Sequence, residues 1–354
     1  MKTYRILVAP LDWGLGHATR CIPVIQLLLK KGYEVHIASS GDAQRLLQLE
    51  FPQLKQFTLP SYKVSYSQRL PFMLKVFLQL PKFLLVINKE KKVTEEIVNQ
   101  NNYDLIISDN RYGCRSARVK SVFICHQLNI IMPRWAKWLA PVINYFNHMW
   151  ISRFDQCWIP DDPSSDLTGR LSTPALPNSE WIGVLSRFKK GESVATEFQL
   201  VVLLSGPEPQ RSVFEKKILH QLSGLNIKSI LVRGRLDVNP VEKDNQHLMV
   251  INYLHGEELQ SIIEKSEVVL CRSGYSTIMD LVKLQKKAVF VPTPGQTEQE
   301  YLGFRLMQNG IALCQHQNDF DLEQALEEIK NYSGFVGSLS ETNLLNKAIE
   351  KALE

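Results

Sequence analysis

Two short loops of the sequence combine small residues with side chains that could move protons or bind phosphate. The first, DWGLGHATR at 12–20, follows the strand-like run YRILVAP and carries Gly14, Gly16, His17 and Arg20. A glycine turn from a strand into a helix is a common phosphate cradle, because the helix N-terminus offers unpaired N–H groups. The loop is neither a P-loop nor a complete dinucleotide-binding glycine pattern. From this motif, His17 is a catalytic base, a ligand contact or a polar helix cap.

A carboxylate closes another strand-like run of the first half. Asp109 ends LIISD and could act as a base, or as a partner that raises the basicity of a histidine. The alternative is a solvated loop aspartate. One helical turn beyond His17, Arg20 could bind an acceptor phosphate or pair with Asp12.

The second loop, RSGYSTIMD at 272–280, follows the run EVVLC and would open a helix. Its small residues suit a phosphate or diphosphate at a helix N-terminus: Ser273, Gly274, Ser276 and Thr277. One turn later, the Asp280 carboxylate could bind two vicinal hydroxyls of a ribose. The next strand runs into PTPGQTEQE, whose side chains suit sugar hydroxyls: Gln296, Gln299 and Glu300. The alternative is that Ser276 and Thr277 only cap the helix and that Asp280 lies on the surface.

The elements that must position these loops alternate between short β-rich runs and helices. RILVAP, YEVHIASS, YDLIISD and SVFICHQ in the first half are matched by QLVVLLSG, KSILVRG, EVVLCRSG and KAVFVPTP in the second. This pattern predicts an α/β fold of two Rossmann-like, doubly wound parallel-sheet lobes that face a central cleft. We expect an N-terminal domain at 1–162, a linker at 163–197, a C-terminal domain at 198–335, and a C-terminal helix at 336–354 that packs back on the first domain.

Charge and cysteine content restrict the functional class of the protein further. The 354 residues carry a net charge of +5, but Lys63 to Arg153 holds fourteen Lys and Arg against five Asp and Glu, so we expect an anionic partner for the first lobe. Six scattered cysteines without a CxxC pair indicate reduced thiols in a cytoplasmic protein. The N-terminus shows no signal-peptide pattern. No nucleic-acid motif is present.

The segment 273–280 resembles the donor-binding segment of the lipid-I N-acetylglucosaminyltransferases of peptidoglycan synthesis and of related GT-B transferases (glycosyltransferase family 28). Their pattern is Gly-Gly-x-x-Thr-x-x-Glu, followed by a strand that ends in proline and a Gln-rich helix start. In this sequence Ser273 replaces the first glycine, Asp280 replaces the ribose-binding glutamate, and Gln299-Glu300 replaces a Gln-Gln pair. The resemblance implies nucleotide-sugar binding. The substitutions predict a relative that makes a different glycan or glycolipid.

The resemblance also assigns roles to other strand ends. On the donor side it implicates Ser205 and Gly206 near the diphosphate with Arg211 as a counter-charge, and Tyr253 or Leu254 beside the base. On the acceptor side, in the N-terminal domain, it implicates GLGHATR, with Gly14, Gly16 and Arg20. It also implicates HQLN at 126–129, where His126 and Asn129 keep the places of a His-Glu-Gln-Asn pattern.

The reaction that follows is an inverting, metal-independent transfer of a hexose or N-acetylhexosamine from a nucleotide sugar, with UDP as the expected nucleotide and no cofactor. The base is His17 first and Asp109 second, while helix N-termini, the 273–277 turn and Arg272 or Arg211 stabilise the leaving diphosphate. Two alternatives remain: a UDP-sugar 2-epimerase of the same architecture, and a non-catalytic nucleotide-sugar-binding subunit of a membrane glycosyltransferase complex.

Two apolar, aromatic and basic segments, at 69–92 and 129–154, have the composition of interfacial helices on anionic lipid. The second carries Trp135, Trp138, Phe146 and Trp150. An ordinary core helix is the alternative for either segment alone. Together they predict a peripheral protein on the inner face of the cytoplasmic membrane, acting on a glycan or lipid-linked acceptor.

Overall fold

The structure is a computed structural model that describes residues 3–62, 79–164, 167–189, 191, 194–235, 241–244, 247–254, 256–335 and 343–354. The chain divides into two compact units. The N-terminal unit comprises the described residues up to Ser186 together with the C-terminal helix, and the C-terminal unit begins at Arg187.

The N-terminal unit is built on a seven-stranded sheet in the order β3-β2-β1-β4-β5-β6-β7, and every neighbouring pair is parallel. Its strands are β1 (Arg5–Pro10), β2 (Glu34–Ser39), β3 (Gln56–Thr58), β4 (Leu105–Asp109), β5 (Lys120–Ile124), β6 (Gln156–Ile159) and β7 (Ser179–Trp181). Its α-helices are α1 (Leu15–Lys30), α2 (Gly41–Glu50), α3 (Leu80–Asn101), α4 (Ala140–Ile151) and α10 (Leu344–Leu353), and a 3-10 helix (Arg134–Leu139) precedes α4.

The C-terminal unit repeats the plan with the sheet order β10-β11-β9-β8-β12-β13-β14, in which only β10 is antiparallel to its neighbour. Its strands are β8 (Phe198–Leu203), β9 (Ser229–Val232), β10 (Val241–Asp244), β11 (Leu248–Ile251), β12 (Ser266–Cys271), β13 (Lys287–Phe290) and β14 (Leu313–Cys314). Its α-helices are α5 (Gln210–Leu222), α6 (Gly256–Glu264), α7 (Tyr275–Leu284), α8 (Thr297–Gln308) and α9 (Leu322–Glu328).

Both sheets reverse their winding direction at one point. In the N-terminal unit the reversal lies between β1 and β4, and in the C-terminal unit it lies between β8 and β12. Crevices at the carboxyl ends of such strand pairs are where doubly wound folds bind ligands. The loops DWGLGHATR and RSGYSTIMD follow β1 and β12, so each lies at the reversal of its own sheet. The predicted fold of two doubly wound lobes is confirmed.

The segment 163–197, predicted as a linker, differs from that expectation. It contains a 3-10 helix (Gly169–Leu171) and β7, the outermost strand of the first sheet, and the boundary between the units falls at Arg187. β7 has only three residues and no apolar alternation, so the sequence gives it no strand signal. The C-terminal helix α10 lies in the N-terminal unit, where Glu350 pairs with Lys31 at 2.9 Å and Lys351 pairs with Glu180.

The two segments predicted to be interfacial are described unequally. Residues 69–78 of the first lie outside the described residues. In the second, Trp150 is half-buried with its ring 5.2 Å from that of Tyr112, so it does not belong to an exposed face. The other three aromatic residues named in the prediction are exposed: Trp135, Trp138 and Phe146. Among the helices that the structure describes, none is long and apolar enough to cross a membrane.

The loop after β4 can approach α3 only because residue 113 is glycine. A Cβ atom at Gly113 would lie 2.4 Å from the carbonyl oxygen of Ile87 and 2.5 Å from Cβ of Glu90. We predict that Gly113→Ala lowers the free energy of unfolding by about 1–3 kcal/mol, because α3 must shift. Gly224→Ala is the control, since its Cβ would lie 3.7 Å from its nearest neighbour, the oxygen of Gln221. Equal urea midpoints for the two variants would contradict this reading.

Candidate functional site

In the N-terminal unit, a buried carboxylate at the end of β4 gathers polar side chains from several elements. Asp109 accepts hydrogen bonds from Nε and Nη2 of Arg20, from Nδ1 of His17 at 2.8 Å and from Asn110 Nδ2 at 3.3 Å. Burial alone would raise the pKa of Asp109, but the charge of Arg20 and the hydrogen bonds from Arg20 and His17 outweigh it and hold that pKa well below its usual range. Asp109 is therefore a fixed anion.

His17 lies in the first turn of α1, where Gly14 ends the preceding loop with a φ of +83° that favours glycine. An ionised carboxylate only accepts hydrogen bonds, so the 2.8 Å contact with Asp109 assigns the hydrogen of His17 to Nδ1. Arg20 Nη2 also lies 2.9 Å from His17 Nδ1, but Nη2 already donates to the Asp109 oxygen that His17 contacts. The lone pair of His17 is then on Nε2, and the side chain is 18% exposed.

Arg20 links His17 to a second histidine, at the end of β5. Its Nη1 lies 2.8 Å from Nδ1 of His126. A guanidinium only donates, so Nδ1 of His126 accepts and the hydrogen of that ring is on Nε2. The two histidines are therefore held in opposite tautomers. The Nε2 atom of His17 can take a proton, and the Nε2 atom of His126 can donate a hydrogen bond.

The geometry revises several predicted roles. No side chain in the described residues caps α1, so the cap interpretation of His17 does not apply. Arg20 is buried and its guanidinium binds Asp109, so it neither pairs with Asp12 nor faces solvent. Asp109 is the partner of His17 rather than a base. Gly16 has no left-handed φ and lies within the first helical turn, so Gly14 alone supplies the special backbone conformation.

A second buried arginine fixes the loop that precedes His17. Arg111 pairs with Glu90 at 2.6 Å, and its Nη2 lies 2.7 Å from Ser40 Oγ and 3.5 Å from Asp12. Ser40 in turn donates to Asp12 at 2.9 Å, and Tyr62 donates to Glu90 at 2.8 Å. Asp12, Ser40 and Arg111 follow β1, β2 and β4, so this network joins three strand ends before α1 begins.

In the C-terminal unit, two glycine-containing loops lead into helices at the sheet reversal. Gly274 precedes the first turn of α7, which holds Ser276 and Thr277, both half-buried. In the part of the chain that the structure describes, no side chain caps α7, so Ser276 and Thr277 do not serve as its caps. After β8, Ser205 and Gly206 are exposed, and Gly206 has a φ of +96°. A helix N-terminus suits an anion. At the start of α5, Glu208 already accepts from the Ser212 N–H at 3.3 Å.

Arg272 does not contact a ligand-binding surface, in contrast to the prediction that it binds the diphosphate. Its side chain is buried, its guanidinium lies 4.3 Å from the Phe214 ring, and burial lowers its pKa to about 10. It connects its own loop to the segments after β8, β13 and β14. The oxygens that it contacts are uncharged, namely those of Val291 at 2.9 Å, Pro292 at 3.1 Å, Gln210 at 3.1 Å and Gln317 at 2.6 Å. Its role in this structure is to position those loops.

Three other predicted donor contacts are engaged within the protein. Ser273 Oγ donates to the main-chain oxygen of Gln299 at 2.7 Å, so this hydroxyl packs α8 against the α7 loop. The Gln299 side chain accepts from the Thr293 N–H at 2.8 Å, and Glu300 accepts from the Gly295 N–H at 3.0 Å. Each acid or amide retains one further polar atom with which it could bind a sugar hydroxyl.

The remaining predicted donor residues lie at the same edge of the sheet. Arg211 is held by Glu208 through its Nε at 3.0 Å, so its charge is already paired. Asp280 lies 3.4 Å from Nε of Arg187, a residue that the sequence pattern does not single out because its partner lies far along the chain. The others are half-buried at the ends of β11 and β13: Tyr253, Leu254 and Gln296.

Known structures define the class to which this fold belongs. The chain is similar to the glycotransferase of kitacinnamycin, with a TM-score of 0.64 and 14% identity, covering 100% of this chain and 95% of that chain. It is also similar to MurG of Acinetobacter baumannii, with a TM-score of 0.59 and 14% identity over 99% of each chain. The fold is that of the GT-B glycosyltransferases.

Sequence comparisons indicate the activity of the protein in addition to its fold. Residues 209–348 match the glycosyltransferase family 28 C-terminal domain. Over 323 residues the chain is 23% identical to the UDP-N-acetylglucosamine–N-acetylmuramyl-(pentapeptide) pyrophosphoryl-undecaprenol N-acetylglucosamine transferase of Haemophilus ducreyi, covering 88% of this chain and 85% of that relative. The protein is a glycosyltransferase, as predicted, with sequence similarity to family 28, and the epimerase and non-catalytic alternatives are not favoured.

The buried pair of Asp109 and Arg20 makes stability depend on pH. The pKa of Asp109 is lower in the folded than in the unfolded chain, so its stabilisation is present at neutral pH and is lost as the pH falls below about 4. We predict that Asp109→Asn lowers the free energy of unfolding at pH 7 by about 3–5 kcal/mol, because Arg20 is left buried without its partner. The variant should also lose less stability than wild type on acidification. Urea denaturation at a series of pH values measures both effects.

Asp42→Asn is the matched control for that experiment, because Asp42 forms an exposed pair with Arg45 in the same unit. Such pairs contribute about 0–1 kcal/mol. If Asp109→Asn behaved like Asp42→Asn, the carboxylate would not be an essential partner of Arg20.

Proposed function

We propose that this protein transfers a hexose or N-acetylhexosamine from a UDP-sugar to a hydroxyl of a lipid-linked or glycan acceptor, with inversion at the anomeric carbon. The observation that carries the proposal is the orientation of His17 by Asp109, which leaves a lone pair on Nε2 at the reversal of the first sheet. The UDP-sugar and the lipid-linked acceptor are supported by the relative from Haemophilus ducreyi, whose name includes both.

In the proposed reaction, His17 Nε2 removes the proton of the acceptor hydroxyl as the oxygen attacks the anomeric carbon. The bond between that carbon and the diphosphate oxygen breaks, and UDP leaves with the bonding electrons. Burial lowers the pKa of His17, so the ring is unprotonated and able to act as a base at neutral pH. Asp109 holds the required tautomer and stabilises the imidazolium that forms. His126 and Asn129 contact the acceptor in this proposal.

The C-terminal unit binds the donor in this proposal. The loops at Gly206 and Gly274, which lead into α5 and α7, receive the diphosphate, with the hydroxyls of Ser276 and Thr277 beside it. Asp280 binds the ribose, while Gln299 and Glu300 bind the sugar. The nucleotide sugar is a substrate, and the proposed mechanism requires no cofactor or metal.

A membrane-binding face on the N-terminal unit is part of the same proposal. Trp138 is 76% exposed and Tyr145 is 66% exposed, and Arg134 and Lys137 are exposed on the adjoining 3-10 helix. On α3, Leu85 is also exposed. Exposed aromatic rings next to basic side chains suit the interface of an anionic bilayer. We propose that this face associates with the inner face of the cytoplasmic membrane, where a lipid-linked acceptor would be located.

A donor panel with a base variant tests the proposed reaction. Purified protein is incubated with UDP-glucose, UDP-galactose and their N-acetylhexosamine counterparts, with bacterial membrane lipids as acceptor. We expect one donor to raise the melting temperature and to release UDP in an acceptor-dependent way. His17→Ala should lower kcat about 10²- to 10⁴-fold and leave donor binding unchanged. The acidic limb of the wild-type pH profile should have its midpoint below 6.5, because burial lowers the pKa of His17.

The exposed His220 on α5 provides the control His220→Ala, which should behave as wild type. Loss of donor binding in His17→Ala would show that His17 contacts phosphate instead of taking a proton. A panel in which no UDP-sugar changes the melting temperature would remove the donor assignment.

Vesicle binding tests the membrane face separately. The double variant Trp138→Ser with Tyr145→Ser should bind phosphatidylglycerol-containing vesicles at least about tenfold more weakly, because both rings lose apolar contact area. Val213→Ser is the control, since Val213 is 50% exposed on α5 of the C-terminal unit. Vesicle binding should also weaken with added salt. Unchanged binding of the double variant would exclude this face as the membrane contact.

A further inference from the structure

Helix α4 presents two different faces. Asn144, Asn147 and His148 project on one side at the spacing of one helical turn, and they contact the loop at 126–130 that follows β5, here termed the acceptor loop. The opposite side carries exposed residues such as Phe146. The polar side chains of the inner face therefore serve the acceptor loop rather than solvent.

Two asparagines of α4 hold the main chain of the acceptor loop. Asn144 accepts from the Ile130 N–H at 2.7 Å and donates to the Ile130 carbonyl at 3.3 Å. Asn147 is buried, donates to the Leu128 carbonyl at 2.8 Å and accepts from the Tyr112 hydroxyl at 2.6 Å. A loop with three such contacts to one helix keeps its shape when no ligand is bound.

His148 determines how the side chain of Asn129 is oriented. Its Nε2 lies 3.1 Å from the carbonyl oxygen of Leu128, which can only accept, so Nε2 carries a hydrogen. The same nitrogen lies 3.2 Å from Oδ1 of Asn129. The reverse amide orientation would bring two N–H donors together. The oxygen of Asn129 is therefore turned towards His148, and its Nδ2 points the other way.

The Nδ2 atom of Asn129 is buried and has no hydrogen-bond partner among the residues that the structure describes. A buried N–H donor without a partner costs about 1–3 kcal/mol, which a ligand oxygen would recover. We propose that Asn144, Asn147 and His148 are positioning residues that make Asn129 a hydrogen-bond donor to an oxygen of the sugar acceptor. This inference rests on the proposed transfer to an acceptor hydroxyl.

Substitutions at His148 and Asn129 test the orientation. Turnover is measured as UDP release with the active donor of the panel and bacterial membrane lipids as acceptor. His148→Leu should raise the KM for acceptor about 5- to 10-fold, because the Asn129 amide is then free to turn. His148→Gln keeps an N–H near the position of Nε2, so its KM for acceptor should stay close to that of wild type. Asn129→Asp removes the donor and should raise that KM by at least as much as His148→Leu does. The KM for the UDP-sugar should not change.

The double variant His148→Leu with Asn129→Asp gives the sharpest outcome, because both changes act through one amide. Its KM for acceptor should equal that of Asn129→Asp alone. Independent, multiplied effects of the two substitutions would overturn the inference, as would an equal rise in the KM for the donor.

Hydrogen exchange at Ile130 tests the positioning role without any assay of activity. Asn144→Leu should make the Ile130 amide exchange about tenfold faster, because its acceptor is removed. Val142→Ala, on the outer face of the same helix, should leave that rate unchanged. If wild type released no UDP with any donor and lipid, the proposed function would fail, and the exchange rates would then decide the positioning role by themselves. Equal rates in both variants would overturn it.

Discussion

The N-terminal site depends on the burial of one carboxylate charge. An ionised carboxylate that is withdrawn from water is stable only with a close cation and further hydrogen bonds. Asp109 obtains these from Arg20 and His17, which lie three residues apart on α1 and therefore on one face of that helix. The carboxylate thereby fixes the tautomer of His17, and Arg20 fixes that of His126. The spacing within GHATR is thus an electrostatic requirement, beyond its role as a glycine turn.

Each unit uses a buried arginine to join its strand-end loops, but the two differ in charge balance. Arg111 has Glu90 as a partner, and although burial opposes it, that negative environment raises the pKa of Arg111. The oxygens that Arg272 contacts are uncharged, and burial lowers its pKa to about 10. The charge of Arg272 is consequently not cancelled by the groups it binds. The C-terminal loops are therefore held by a cation, which favours an anionic ligand at that edge.

The sequence predicts the fold, because apolar strand runs are periodic signals. It also places Asp109, His17 and His126 at one edge of the sheet, because parallel strands end at the same edge, and the structure has them close together through Arg20. It does not predict which charged side chain turns inward, because that depends on a partner far along the chain. Arg20 binds Asp109, which lies 89 residues further along the chain, and Arg272 binds Gln317, which lies 45 residues further along. The role of Arg187 beside Asp280 is hidden for the same reason.

Helix α4 combines constraints that its sequence only partly reveals. The apolar and aromatic composition of 129–154 predicts an interfacial helix, and Trp138 and Tyr145 are exposed as that prediction requires. The polar residues between them, such as Asn144, interrupt the apolar pattern of the sequence. Only the structure shows that such residues contact the acceptor loop. One helix can serve both purposes because its two faces are separated by its period of 3.6 residues. The proposed lipid-linked acceptor would use both faces, since its lipid and its reacting hydroxyl would be bound together.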